Sequence, residues 1–187
     1  AHYFKPVQAG TPTDKEQVRQ WVSHPTFVVH DEIYALKMPA SPHAAAKAEG
    51  ISIDINAIQL PQYPQSLIVE GAGGVLVPLN DRHFVIDMAL KFKSEVVLVS
   101  NHYLGSINHT LCTAAVLKQK GVSVMGVVFN GPQNPETERI ILQHTGYRVL
   151  LQIPHLAHID AEVVRQYALI LRQNLATIFQ ADAPIKE

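Results

Sequence analysis

Five short stretches put polar or small residues where apolar runs end, and each has a chemistry open to it. In Tyr3-Phe4-Lys5-Pro6-Val7-Gln8-Ala9-Gly10 the Lys5 ammonium is a compact charge suited to a phosphate or a carbamate. The same lysine also reads as a solvent-facing residue on an edge strand. Glu70-Gly71-Ala72-Gly73-Gly74 follows Leu67-Ile68-Val69, and its glycines let backbone approach a ligand and turn N–H groups toward an anion. Glu70 stands where nucleotide-binding sheets place a carboxylate for Mg2+; a tight turn with an incidental Glu is the competing account. In Ser100-Asn101-His102-Tyr103-Leu104-Gly105-Ser106-Ile107-Asn108-His109, Ser106 is expected as a helix N-cap. Gly105, Ser106 and Ile107 then offer a helix N-terminus to a carboxylate or phosphate, although capping alone also accounts for Ser106. Asn130, in Val127-Val128-Phe129-Asn130-Gly131-Pro132, has the paired donor and acceptor that read a base edge. Asn-Gly-Pro is equally turn chemistry. Leu151-Gln152-Ile153-Pro154-His155 runs into a proline-ended turn and demands no chemistry by itself.

The elements that must position these residues alternate between two textures. Apolar, β-branched runs over 67–70, 96–100, 124–130 and 149–154 predict strands buried on both faces. Between them the spacing predicts helices over 84–92, 106–120, 135–144 and 161–179. Ile107, Leu111, Ala114 and Ala115 recur at helical spacing, and Gly121 stops that helix. Pro135 heads the next helix and Gly146 ends it. Strand alternating with helix implies a mainly parallel sheet with helices on both faces, an α/β fold, and ligands at the carboxyl ends of the strands. Residues 10–64, with prolines at 12, 25, 39, 42, 61 and 64, read as loops and short helices packed beside the sheet. At 187 residues the expected organisation is a single α/β domain over 1–187.

Composition narrows the function classes. A formal net charge of -1 gives no global attraction to nucleic acid or to an anionic membrane, so an anionic ligand must be held by local groups. Cys112 is the single cysteine, which rules out an internal disulfide and a cysteine-rich metal site and favours a reducing, cytoplasmic setting. No uninterrupted apolar run approaches about 20 residues, the length a membrane-spanning helix needs. None of the ten histidines pairs as His-x-x-x-His on a helix, and no Gly-x-Ser-x-Gly elbow occurs, so neither a zinc enzyme nor a serine hydrolase is indicated.

The order of these motifs carries more than any one of them. Lys5-Pro6-Val7, Ser41-Pro42-His43, Glu70-Gly-Ala-Gly-Gly with Pro78-Leu79 behind it, Leu104-Gly-Ser-Ile-Asn-His109, Asn130 and Ile153-Pro154 succeed one another as in dethiobiotin synthetases. The chain resembles that family from Lys5 to about Leu156. The resemblance implies a P-loop NTPase-like α/β fold, a homodimer, and an ATP- and Mg2+-dependent ligase of biotin biosynthesis. That reaction adds CO2 to 7,8-diaminopelargonate and closes a cyclic urea: the diamine forms a carbamate, the carbamate takes the γ-phosphoryl group, and the second amine displaces phosphate. Such chemistry rests mostly on positioning and charge neutralisation. Carried over residue by residue, Lys5 holds the carbamate and γ-phosphate, and Glu70 and Asp14 bind Mg2+. Ala9 falls where many members have a substrate-contacting Ser. Gly73 and Gly74 line the diamine site, with Gly73 and Glu70 also against the nucleotide. Gly105, Ser106 and Asn108 resemble the docking point for the substrate carboxylate, reached from the partner subunit. Asn130 recognises adenine, with Ile153, Pro154 and His155 beside it.

One departure stands out. The family opens with a strand and a Gly-rich loop ending in Lys-Thr, whereas no Gly-x-x-x-x-Gly-Lys-Ser/Thr occurs in this sequence. The expectation is that this strand, loop and helix, about 30 residues, lie outside the chain. The alternative is a non-catalytic relative that discarded the loop and serves as a binding or regulatory domain; the sequence preceding Ala1 separates the two.

Overall fold

A computed structural model describes residues 1–22, 24–63 and 66–181, so Pro64 lies outside the described residues. The chain forms two compact units, Ala1–Ser94 and Glu95–Glu187. The element order is β1 (His2–Phe4), β2 (Val7–Ala9), α1 (Asp14–Trp21), β3 (Val28–Val29), β4 (Tyr34–Leu36), α2 (Pro42–Ala48), β5 (Leu67–Val69) and α3 (Val85–Phe92) in the first unit. The second holds β6 (Val96–Asn101), α4 (Ser106–Gln119), β7 (Val124–Asn130), α5 (Pro135–Thr145), β8 (Val149–Ile153) and α6 (Ala161–Ala181). All strand pairs in the three sheets are parallel, as strand–helix alternation requires.

In the first unit β1 lies between β3 and β5, and β2 pairs with β4. Pro6 separates β1 from β2, and its carbonyl accepts the N–H groups of Ile33 and Tyr34 at 2.9 and 3.0 Å. The strand therefore passes from one pairing to the other without an orphaned acceptor. Val7, Leu36, Ala45, Ala46, Ile53, Ile55, Ile58, Leu79 and Met88 form its core. Pro42 opens α2 at a position where its missing N–H costs nothing. The Lys91 ammonium donates to the carbonyls of Ile55 and Ile58 at 2.6 and 2.7 Å and so fixes the irregular segment between α2 and β5. The segment read from sequence as loops and short helices thus also contains β3 and β4. Strands of two and three residues between prolines are too short to show a period.

In the second unit β7 is central, between β6 and β8. Its residues alternate between two clusters. Val127 and Phe129 pack with Ile141 of α5, while Val128 packs with Leu150, Leu151 and the α6 stripe Tyr167, Leu171, Leu175 and Ile178. Helices therefore cover both faces of this sheet. At β6 the expected two-sided burial gives way to alternation, with Leu98 and Ser100 buried and Val97 and Val99 exposed. A Cβ on Gly126 would stand 2.5 Å from the Arg148 carbonyl, so glycine is what allows β7 and β8 to approach there.

Candidate active site

The chemistry-bearing groups of the first unit converge because of strand register. Phe4 is paired with Val69, and the Glu70 N–H donates to the Phe4 carbonyl at 2.9 Å. The residues that follow each strand, Lys5 and Glu70, are therefore neighbours although 65 positions apart. Lys5 Nζ donates to Glu70 Oε1 at 2.9 Å and to Asp14 Oδ2. Asp14 is the first residue of α1, where its carboxylate complements the helix N-terminus. Thr13 caps that helix reciprocally with Glu16. Buried Gln8 accepts from the Asp14 N–H at 3.4 Å and donates to the Gly10 carbonyl at 3.2 Å, which holds the turn that brings Asp14 back to Lys5.

Lys5 is buried, with its side chain 10% exposed, whereas Glu70 and Asp14 reach solvent at 44% and 35%. Burial works against the ammonium, but its hydrogen bonds to Asp14 and Glu70 outweigh it and hold the Lys5 pKa above the ordinary lysine range. On the far side of Glu70, the Tyr3 hydroxyl donates to Oε2 at 2.5 Å. Burial, then the hydrogen bond and charge of Glu70, push the Tyr3 pKa well above the usual tyrosine value.

Of these groups Lys5 and Asp14 open onto a cavity of about 420 Å3, lined also by Ala9, Ser41, Gly73 and neighbouring loop residues. Gly73, at φ +82°, adopts a left-handed conformation that a side chain would strain, with Val77 Cγ2 3.0 Å from where a Cβ would stand. Gly74 accepts the Val77 N–H through its carbonyl at 3.0 Å, which closes the glycine turn. Two carboxylates are a hard-oxygen donor set suited to Mg2+, which uses one or two protein carboxylates together with substrate phosphates. Among the described residues no group of three or more His, Cys, Asp or Glu assembles a complete protein cage.

The remaining expected residues lie in the second unit. Asn101, Asn130 and Ile153 stand side by side in register at the carboxyl ends of β6, β7 and β8. The His102 N–H donates to the Asn130 carbonyl at 2.8 Å and the Gly131 N–H to the Ile153 carbonyl at 2.9 Å. Pro154 and His155 follow, both exposed. Gly105 takes the N-cap position at φ +102°, and Ser106 becomes the first helical residue, buried, rather than the cap. No side-chain hydrogen bond caps this helix, which the chain enters through the left-handed turn at Gly105. Asn108 is exposed on the first turn of α4. Ahead of it Tyr103, Leu104 and Ile107 are 52%, 102% and 36% exposed.

Sequence reasoning missed Tyr3 and Gln8. Tyr3 sits two residues from Lys5, so it shares that residue's strand face. That periodicity was the available signal; an aromatic residue in an apolar run otherwise reads as core.

A family model described as an AAA domain matches residues 1–163. An ATP-dependent dethiobiotin synthetase of Cytophaga hutchinsonii is 54% identical over 176 residues, 93% of this chain and 85% of that protein. The same enzyme of Christiangramia forsetii is 40% identical over 180 residues, 95% and 86% of the two chains. That of Rhodopseudomonas palustris is 40% identical over 167 residues, 88% and 78%. The chain therefore belongs to the ATP-dependent dethiobiotin synthetase family.

Proposed function

We propose that this chain catalyses the ATP-dependent closure of CO2 and 7,8-diaminopelargonate to the cyclic urea dethiobiotin, with Lys5 as its principal catalytic group. The observation that carries this reading is the buried Lys5 ammonium between Asp14 and Glu70 at a glycine-lined cavity. An ammonium held charged there neutralises the anions the reaction develops, first the carbamate and then the transferring phosphoryl group. Asp14 and Glu70 are the residues to hold Mg2+, which when bound supplies charge neutralisation on phosphate oxygens. Gly73 and Gly74 offer close backbone approach to the diamine and, for Gly73 beside Glu70, to the nucleotide. Ala9, at the cavity wall, leaves only backbone polar groups there. Asn130, with Ile153, Pro154 and His155 alongside, is the adenine reader, because its amide pairs one donor with one acceptor.

Gly105, Ser106 and Asn108 are assigned to the substrate carboxylate of a partner subunit in a homodimer. The exposed apolar group of Tyr103, Leu104 and Ile107 beside them supports this, since such clusters mark contact surfaces. Leu104→Asp is expected to yield monomers and to abolish diamine affinity; a monomer with normal affinity refutes the shared site. No helix among the described residues is long and apolar enough to cross a membrane, and a cytoplasmic location is assigned with the single cysteine as support.

The deciding assay supplies 7,8-diaminopelargonate, bicarbonate, Mg2+ and ATP and follows both dethiobiotin and phosphate. Equal, diamine-dependent formation of the two products is expected. Diamine binding with no phosphate release would instead support the non-catalytic binding domain.

A further inference from the structure

Glu70 presents a problem of control. Its side chain is 44% exposed at the head of a glycine-rich turn, where a carboxylate ordinarily samples several rotamers. Yet both of its oxygens are engaged. Oε1 accepts from Lys5 at 2.9 Å and Oε2 from the Tyr3 hydroxyl at 2.5 Å. The two donors differ in kind. Lys5 is a flexible chain shared with Asp14 and is needed for substrate anions, so its contact with Glu70 must loosen when ligands arrive. Tyr3 has no such second duty. Its ring belongs to β1, is 5% exposed, and is fixed opposite Ile68 by strand pairing, so its hydroxyl has a set position.

We propose that Tyr3 is a positioning residue for cation binding, its hydroxyl clamping Glu70 so that Oε1 stays on the side of Lys5 and Asp14 whether or not Lys5 is engaged. This rests on the assignment of Mg2+ to Asp14 and Glu70. An O–H donor on a carboxylate forms a strong, short, charge-assisted bond, and one rotatable C–O bond lets it follow small movements of the acceptor. Removing such an outer partner of a metal-ligating group typically lowers metal affinity by about 10- to 100-fold.

The experiment titrates Mn2+ into the full chain with a non-hydrolysable ATP analogue and reads free Mn2+ by electron paramagnetic resonance. Tyr3→Phe removes one oxygen and keeps the ring. It is expected to weaken Mn2+ binding by about tenfold or more, with the urea midpoint nearly unchanged. Glu70→Gln serves as reference, and the double variant decides the route. If Tyr3 acts through Glu70, Tyr3→Phe adds nothing once Glu70 is Gln; a merely structural role gives additive losses and overturns the proposal. Unchanged affinity in Tyr3→Phe, with loss in Glu70→Gln, also overturns it while leaving the cation assignment standing. If Glu70→Gln and Asp14→Asn both bind Mn2+ normally, the cation assignment itself falls and takes this inference with it.

Discussion

Lys5 Nζ lies 2.9 Å from Glu70 Oε1 because the strands that carry them are paired Phe4 to Val69, so the contact is a consequence of sheet register. Asp14 completes the arrangement from the start of α1. A single ammonium thus occupies the space between the two carboxylates assigned to the cation. Cation and ammonium compete for the same oxygens, and loss of Lys5 separates the two roles. Lys5→Met is expected to lower turnover by on the order of a hundredfold, the scale of one lost electrostatic group in a preorganised site. Mn2+ affinity of the same variant should stay level or rise, since a competing charge has gone. A mild rate effect would return Lys5 to a structural place at the end of β1.

The carboxylates make the complementary prediction. Glu70→Gln and Asp14→Asn each remove one negative charge with little change of shape. One charge about 4 Å away is worth about 1 kcal/mol even at the dielectric of water. The Mg2+ concentration for half-maximal rate should therefore rise by at least about fivefold in each variant. Initial rates across a Mg2+ series measure this directly, and an unshifted curve would remove that residue from the cation site.

How much of this was legible in the sequence depends on the range of the interaction. The glycine turn after Val69, the Pro135 and Gly146 helix boundaries and the apolar run 124–130 are local signals, and each reappears at its place. Lys5, Glu70 and Asp14 were named by motif order, but nothing local shows that residues 5, 14 and 70 meet. That follows from the β1–β5 register and the Gln8-braced turn. Tyr3 was hidden because a buried aromatic side chain with a polar tip looks like core until its partner is known. The strands β3 and β4 were hidden by their length; β6 was legible as a strand, but its continuous apolar run did not show that Leu98 and Ser100 are buried while Val97 and Val99 are exposed.

At the other end of β1, His2 Nδ1 and His30 Nε2 are 2.9 Å apart. That contact needs a proton on one nitrogen and a lone pair on the other, so both rings cannot be charged within it. Burial first, and the neighbouring His2 second, lower the His30 pKa below its usual 6.5. The unfolded chain therefore takes up this proton at a higher pH than the native one. Stability from this site is intact above about pH 6.5 and falls as pH drops through that value toward the depressed native pKa. Urea midpoints from pH 8 to pH 5 should decline over the acid half of that range. His30→Asn keeps a polar group but cannot titrate, and should flatten the decline; an identical pH profile in the variant would exclude His30 as its source.

The strand ends of the second unit depend on a carboxylate with no catalytic assignment. Glu138 on α5 is buried and accepts from the Gln152 amide on β8. Its Oε1 lies 3.7 Å from His102 Nε2, while His102 Nδ1 donates to the Pro132 carbonyl at 2.7 Å. Its Oε1 also accepts the Asn134 N–H at 3.4 Å, so this side chain ties the turn after β7 to the last part of β8 and lies beside His102, near the strand end that holds Asn130. Glu138→Ala leaves the Gln152 amide without its acceptor and His102 without the charge beside its ring. The cost should be about 1 kcal/mol, the net worth of a hydrogen bond whose donor, on the exposed Gln152, can turn to water, read from the urea midpoint. Glu138→Gln is expected to be milder, because its carbonyl still accepts from Gln152 and only the long bond from the Asn134 N–H is lost. If both substitutions destabilise equally, the negative charge rather than the hydrogen-bonding pattern holds these strand ends together. If neither does, the network is not what fixes the Asn130 turn, and nucleotide affinity should be unaffected in both.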